Sequence, residues 1–160
     1  MSGRPTTTYS AVLGDREPLA TMRESVARIQ TLAAPWGAAE FERPSASGTW
    51  TARQILVHLA QTELVLGHRA RMALTTPGYT AQKFDQDGWM ALDHAVSGPD
   101  AVAALAALSQ MNVACFTALP DAQRDIAMAH PQYGTITVEW VIHMIAGHQL
   151  HHLRQLEALG

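Results

Sequence analysis

His148 and His152 stand four residues apart in the segment from Val141 to Leu153. In an α-helix that spacing sets two imidazoles about 40° apart around the axis, on one face, where they can bite a single metal ion. Val141, Met144, Ile145, Leu156 and Leu159 share the face, so the sequence predicts that it points into the protein. An imidazole buried in an apolar stripe loses its hydration and needs a hydrogen bond or a metal in exchange.

A histidine pair normally needs a third protein ligand from another helix before it holds a catalytic ion. His58 is the candidate, because its helical face also carries Ile55, Thr62, Val65 and Met72. Three inward imidazoles with an open position suit Zn²⁺, Ni²⁺ or Fe²⁺, and ligand identity does not choose among them. His151, about 60° from His148 on the edge of the stripe, is expected as a packing residue, a partner of a ligand or a substitute for one. His143 faces away, and His68, His94 and His130 lack a partner at chelating spacing; all four are expected to be structural.

Around these ligands, Arg69 lies eleven residues after His58 and nearly in phase with it. It is either an exposed arginine near a helix end or the mouth of a pocket, able to hold an anionic substrate group. Gln155 falls close to the direction of His148 and can orient a ligand. Thr62 is expected to bond its own backbone. Glu63 turns about 140° from His58 and reads as a solvated or inter-helix charge.

The elements that must position these residues are helices. Glu17 and Pro18 open a first helix that runs to about Ala33, with Leu19, Met22, Val26, Ile29 and Leu32 as its stripe. Thr51 and Gln54 form a capping box, and Trp50 staples onto Ile55, at the start of a second helix reaching about Leu74. A third opens at Pro99 and stops at Leu119-Pro120; a fourth starts after Thr137 and carries the histidine pair. Between the second and third lies a long connection, Thr75 to Gly98, with a short helix expected at 87–95; it is long enough to cross a bundle. Residues 1–14 read as an arm that docks or stays mobile. The expectation is one all-α domain over 1–160, a four-helix bundle, with no β-rich region beyond a turn or short hairpin near His130–Thr135.

Composition narrows the function. A net charge of −3 and the absence of any Lys/Arg run argue against a nucleic-acid partner. The most apolar stretch, 101–119, is interrupted by Ser109, Gln110 and Asn112 and reads as a bundle helix, not a membrane span. One cysteine, Cys115, permits no internal disulfide and fits the cytoplasm, and no signal peptide is read at the N-terminus. Thinly charged, alanine-rich helices point to a helix-face homodimer.

Trp50-Thr51 through His58-Leu59 and the run His148-Gln149-Leu150-His151-His152-Leu153-Arg154-Gln155-Leu156 resemble the DinB/YfiT-like superfamily, and the order and spacing of helices agree over nearly the whole chain. The resemblance implies a bundle in up-down-down-up order and a divalent metal held by His58, His148 and His152. It also implies relatives that are thiol S-transferases, mycothiol-dependent isomerases or domains of ergothioneine-forming enzymes. The expected function is a metal-dependent enzyme of thiol-transferase or hydrolase type acting on a small molecule, with a low-molecular-weight thiol as a potential co-substrate. Its attacking group is a water or thiolate on the metal, and Arg69 is the candidate substrate contact. The competing expectation is a non-enzymatic, stress-related or ligand-binding bundle whose metal is structural or absent.

Overall fold

The computed structural model describes residues 3–46 and 48–159 and is mostly helical. Four long helices form a bundle: α2 (Pro18–Ala33), α4 (Ala52–Thr75), α6 (Gly98–Thr117) and α8 (Val138–Glu157). Short helices α1 (Ser10–Leu13), α3 (Ala38–Phe41), α5 (Gln86–Leu92) and α7 (Asp121–Arg124) lie between them, and a hairpin of β1 (Ala127–His130) and β2 (Gly134–Thr137) precedes α8. Both α2 and α4 pack against α6 and α8, so α2 lies diagonal to α4 and α6 diagonal to α8, while α4 and α6 are neighbours.

The starts of these helices follow from their caps. Glu17 accepts from the amides of Leu19 and Ala20 ahead of α2. Thr51 and Gln54 form the reciprocal capping box on α4, as expected, and Thr137 Oγ1 accepts from Trp140 N on α8. Each satisfies amides that the first helical turn leaves without partners, at a gain of about 1 kcal/mol.

Two apolar clusters fill the bundle. One gathers Leu13, Met22, Phe116, Val141, Ile142 and Ile145; the other gathers Ile29, Ile55, Leu56, Leu59, Leu105 and Leu156. Full burial of each such side chain stabilises the fold by about 1.5–3 kcal/mol. α6 is long and apolar enough to cross a membrane by length and composition, but here Leu105, Val113 and Phe116 are buried against the other helices.

The long connection does more than span the bundle. Ala81 N donates to Ala129 O (2.8 Å) and Ala129 N to Tyr79 O (3.3 Å), so it lies alongside the hairpin. The strands pair antiparallel, from Ala127 opposite Thr137 to His130 opposite Gly134, a two-stranded addition to the expected all-α architecture. At its two ends α4 is tied to the connection and to α6. Arg53 donates to the carbonyls of His94 and Val96 (3.3 Å each), and Arg71 to Asn112 Oδ1 (2.7 Å).

The N-terminal arm is docked; its first two residues, Met1 and Ser2, lie outside the described part. Leu13 is fully buried, and Trp140 Nε1 donates to Thr6 O (3.0 Å). Gly147 permits the approach: a Cβ there would stand 2.6 Å from Tyr9 Cβ and 3.1 Å from its carbonyl oxygen.

Candidate metal centre

α4 and α8 bring His58, His148 and His152 together, each buried, with one ring nitrogen from each within 4.8 Å of the others. Among the described residues no other group of three histidine, cysteine or carboxylate side chains converges this way. His58 Nε2 and His148 Nε2 are 2.8 Å apart, too close for two lone pairs to face each other without a shared proton or cation.

Burial keeps the imidazoles uncharged, so any proton between these two is the N–H of one neutral ring donated to the other. Loss of hydration pushes the His58 imidazolium down to about 3, helped by the neighbouring His152. His148 is held well below its ordinary range by burial and then by His152, His58 and His151. Burial lowers His152 to about 4, although its bond to Gln155 works the other way. At neutral pH the triad therefore offers uncharged nitrogens.

Their orientation is fixed from behind. Gln155 Oε1 can only accept, so His152 Nδ1 carries the proton across their 2.7 Å contact and leaves Nε2 as the donor atom. Trp50 packs on the ring of His58 with centroids 4.7 Å apart, and Tyr9 on that of His148 at 5.3 Å. His58 Nδ1 is buried without a partner. Three neutral, inward imidazoles with converging ring nitrogens fit a divalent transition ion, whose bonds to imidazole nitrogen run about 2.0–2.1 Å.

One wall of a cavity of about 240 Å³ is formed by His58 and His148. Arg69 lines it as well, buried rather than exposed, and its Nη2 donates to Gln82 O (2.7 Å). Thr62 Oγ1 donates to His58 O (2.8 Å), the backbone bond expected of it.

Other expectations shift. Glu63 is not solvated: it is buried between helices, accepting from Asn112 Nδ2 (2.6 Å) and from Gln149 Nε2. Burial pushes its carboxyl up to about 7 against the pull of those bonds. His143 is buried and bonds Glu139 across one turn (3.0 Å), a structural role. His151 is half-buried, packed on Tyr9 and His152 and outside the triad. His68 borders a second cavity of about 590 Å³, and His94 Nδ1 contacts Ala91 O (2.8 Å).

Three residues that spacing did not single out also line the cavity at the triad: Tyr9 from the arm, His130 at the end of β1 and Tyr133 in the hairpin turn. They come from segments without helical periodicity. The one usable signal was the cluster His130-Pro131-Gln132-Tyr133, chemically rich for a turn.

The sequence profile of the DinB superfamily matches residues 21–156. A protein of Oceanobacillus iheyensis named "Putative metal-dependent hydrolase OB0413" is 27% identical over 119 residues, 74% of this chain and 69% of that protein. "Putative metal-dependent hydrolase YfiT" of Bacillus subtilis is 26% identical over 125 residues, 76% of this chain and 70% of its own. The solved structure of YfiT, described as having an unusual four-helix bundle topology, superposes with a TM-score of 0.82 at 21% identity, covering 99% of this chain and 90% of that one. A mycothiol-dependent maleylpyruvate isomerase superposes with a TM-score of 0.74 at 15% identity over 94% of this chain and 63% of that chain. At these identities the structural likeness speaks to the fold.

Proposed function

The chain belongs to the DinB superfamily, and on that premise we propose that it is a divalent-metal-dependent enzyme of hydrolase or thiol S-transferase type acting on a small molecule. The observation that carries the reading is the 2.8 Å approach of two buried, uncharged imidazole nitrogens with a third beside them. His58, His148 and His152 would hold the ion, and the names of its relatives support a metal-dependent hydrolase. When bound, the ion supplies Lewis acidity, which makes a water or a thiol nucleophilic near neutral pH.

The chain's own residues do the rest. Gln155 holds the His152 tautomer, and Trp50 and Tyr9 hold the rings of His58 and His148 in place. Tyr9, Phe84, Tyr133 and Trp140 give the cavity an aromatic lining, and Arg69 supplies a fixed positive charge for an anionic group of the substrate. His151 stands outside the triad, which favours an open position over a closed structural site.

The same proposal includes an up-down-down-up helix order. It is supported by Arg53 meeting Val96 and Arg71 meeting Asn112, which run α4 and α6 in one direction. A cytoplasmic location and a homodimer complete it, the latter supported by exposed Leu64 and Met111 on α4 and α6.

Metal analysis of untagged protein, followed by calorimetric titration of EDTA-treated protein with Zn²⁺ and Ni²⁺, tests the centre. Near-stoichiometric metal or tight one-site binding is expected. Protein that contains none and binds none ends the proposal. Screening ester, amide and thiol-adduct substrates with the loaded protein then separates hydrolase from transferase.

A further inference from the structure

His130 Nδ1 accepts from the amides of Gln132 (3.0 Å) and Tyr133 (3.2 Å). Its proton must therefore sit on Nε2, and that atom is buried with no hydrogen-bond partner, on a residue only 5% exposed that lines the cavity beside the triad. A buried N–H left without an acceptor costs about as much as a hydrogen bond contributes, so its retention calls for an explanation.

Arg69 presents the complementary gap on the same cavity. It is 6% exposed, donates to one backbone carbonyl, and among the described residues has no carboxylate within 4 Å. A guanidinium carries five donors, and a buried one without a counter-ion is costly. Burial and the charge of Arg69 keep His130 neutral, so it offers a single N–H beside a permanent cation.

We infer that this cavity binds a small apolar or aromatic carboxylate, its anionic group held by His130 Nε2–H and the Arg69 guanidinium and its body among the rings of Tyr9, Phe84, Tyr133 and Trp140. This rests on reading the cavity beside the triad as the substrate site. One anion supplies both the missing acceptor and the missing counter-charge. A carboxylate matches a single guanidinium in charge, whereas a phosphate dianion brings more than this wall offsets. At about 240 Å³ the space suits a compact ligand with a flat apolar face.

Phenylacetate and its neutral isostere phenylacetamide test the inference on metal-free, full-length protein, with binding followed by calorimetry and by the His130 imidazole signals in ¹⁵N NMR. Phenylacetate is expected to bind saturably and shift the His130 Nε2 resonance, with phenylacetamide at least about tenfold weaker, as loss of a charge-assisted hydrogen bond implies. Arg69→Gln should weaken phenylacetate about tenfold or more. His130→Asn, which keeps an acceptor for the turn amides but removes the Nε2 donor, should weaken it and leave the thermal melt near wild type. Equal binding of acid and amide, unchanged binding in Arg69→Gln, or no saturable binding of phenylacetate overturns the inference. Because no metal is present, these outcomes are independent of the metal titration, which fails or succeeds separately. N-acetylcysteine in a parallel titration locates the carboxylate. If it outcompetes phenylacetate only after Zn²⁺ loading, and still needs Arg69, the group belongs to a thiol co-substrate; otherwise it belongs to the acceptor.

Discussion

Gln155 Oε1 accepts from His152 Nδ1, and that single bond keeps the Nε2 lone pair turned toward His58 and His148. Gln155→Leu removes the acceptor while preserving bulk, so metal affinity should fall about 10- to 100-fold, measured by competition with a chromophoric chelator. His148→Ala takes away a proposed ligand outright. Its bound metal should drop to background while its far-ultraviolet circular dichroism stays helical; retention of stoichiometric metal would show that the triad is not the site. The two variants differ in kind. One loosens the aim of a ligand, and the other leaves too few nitrogens to hold an ion.

At the scale of the helix, α4 and α8 are surrounded, and this explains both what the sequence disclosed and what it hid. The three histidines were legible because each shares a stripe of apolar residues at helical spacing and each helix announces its start with a threonine cap. Glu63 and His143 lie off those stripes, and a single-stripe reading sends them to solvent or the far side. Yet α4 packs on α5, α6 and α8, and α8 on α1, α2, α4, α7 and β2, so their second faces are buried too. Glu63, Asn112, Gln149 and Ser109 form the polar seam that results. Gly67 belongs to the same seam: a Cβ there would lie 2.3 Å from Asn112 Oδ1, and Asn112 is tethered by Glu63 and Arg71. Gly67→Ala gains up to about 1 kcal/mol in helix propensity but overpacks a side chain that has little room to move. Net destabilisation of about 1–2 kcal/mol is expected from urea denaturation; a stabilised variant would show that Asn112 moves freely.

For the whole molecule, the buried triad and the buried glutamate set opposite pH dependences. His58 and His152 titrate at about 3 and about 4 in the folded protein against an ordinary 6.5. Below pH 6.5 the unfolded chain thus takes up protons that the folded one refuses, and stability is lost as pH falls from there toward 4. Glu63 holds its proton up to about 7 when folded against 4.5 otherwise, so its contribution is lost as pH rises through 7. Metal-free protein should therefore show its highest urea midpoint near pH 6 to 7, with an acid decline from the histidines. Glu63→Gln should remove the smaller alkaline decline and leave the acid one. A midpoint that is flat from pH 4 to 6.5 would contradict the burial of the triad. The docked arm has a further consequence, in the order of events. Thr6 and Trp140 are 134 residues apart, and Tyr9 meets His148 across a similar span. Such contacts close a loop of almost the entire chain, the non-local kind that slows folding. During synthesis the arm emerges long before its seat on α8 exists, and His58 waits for both of its companions. The cavity is thus complete only once α8 has been made, and an ion bound at the proposed centre would certify that α4 and α8 have already found their places.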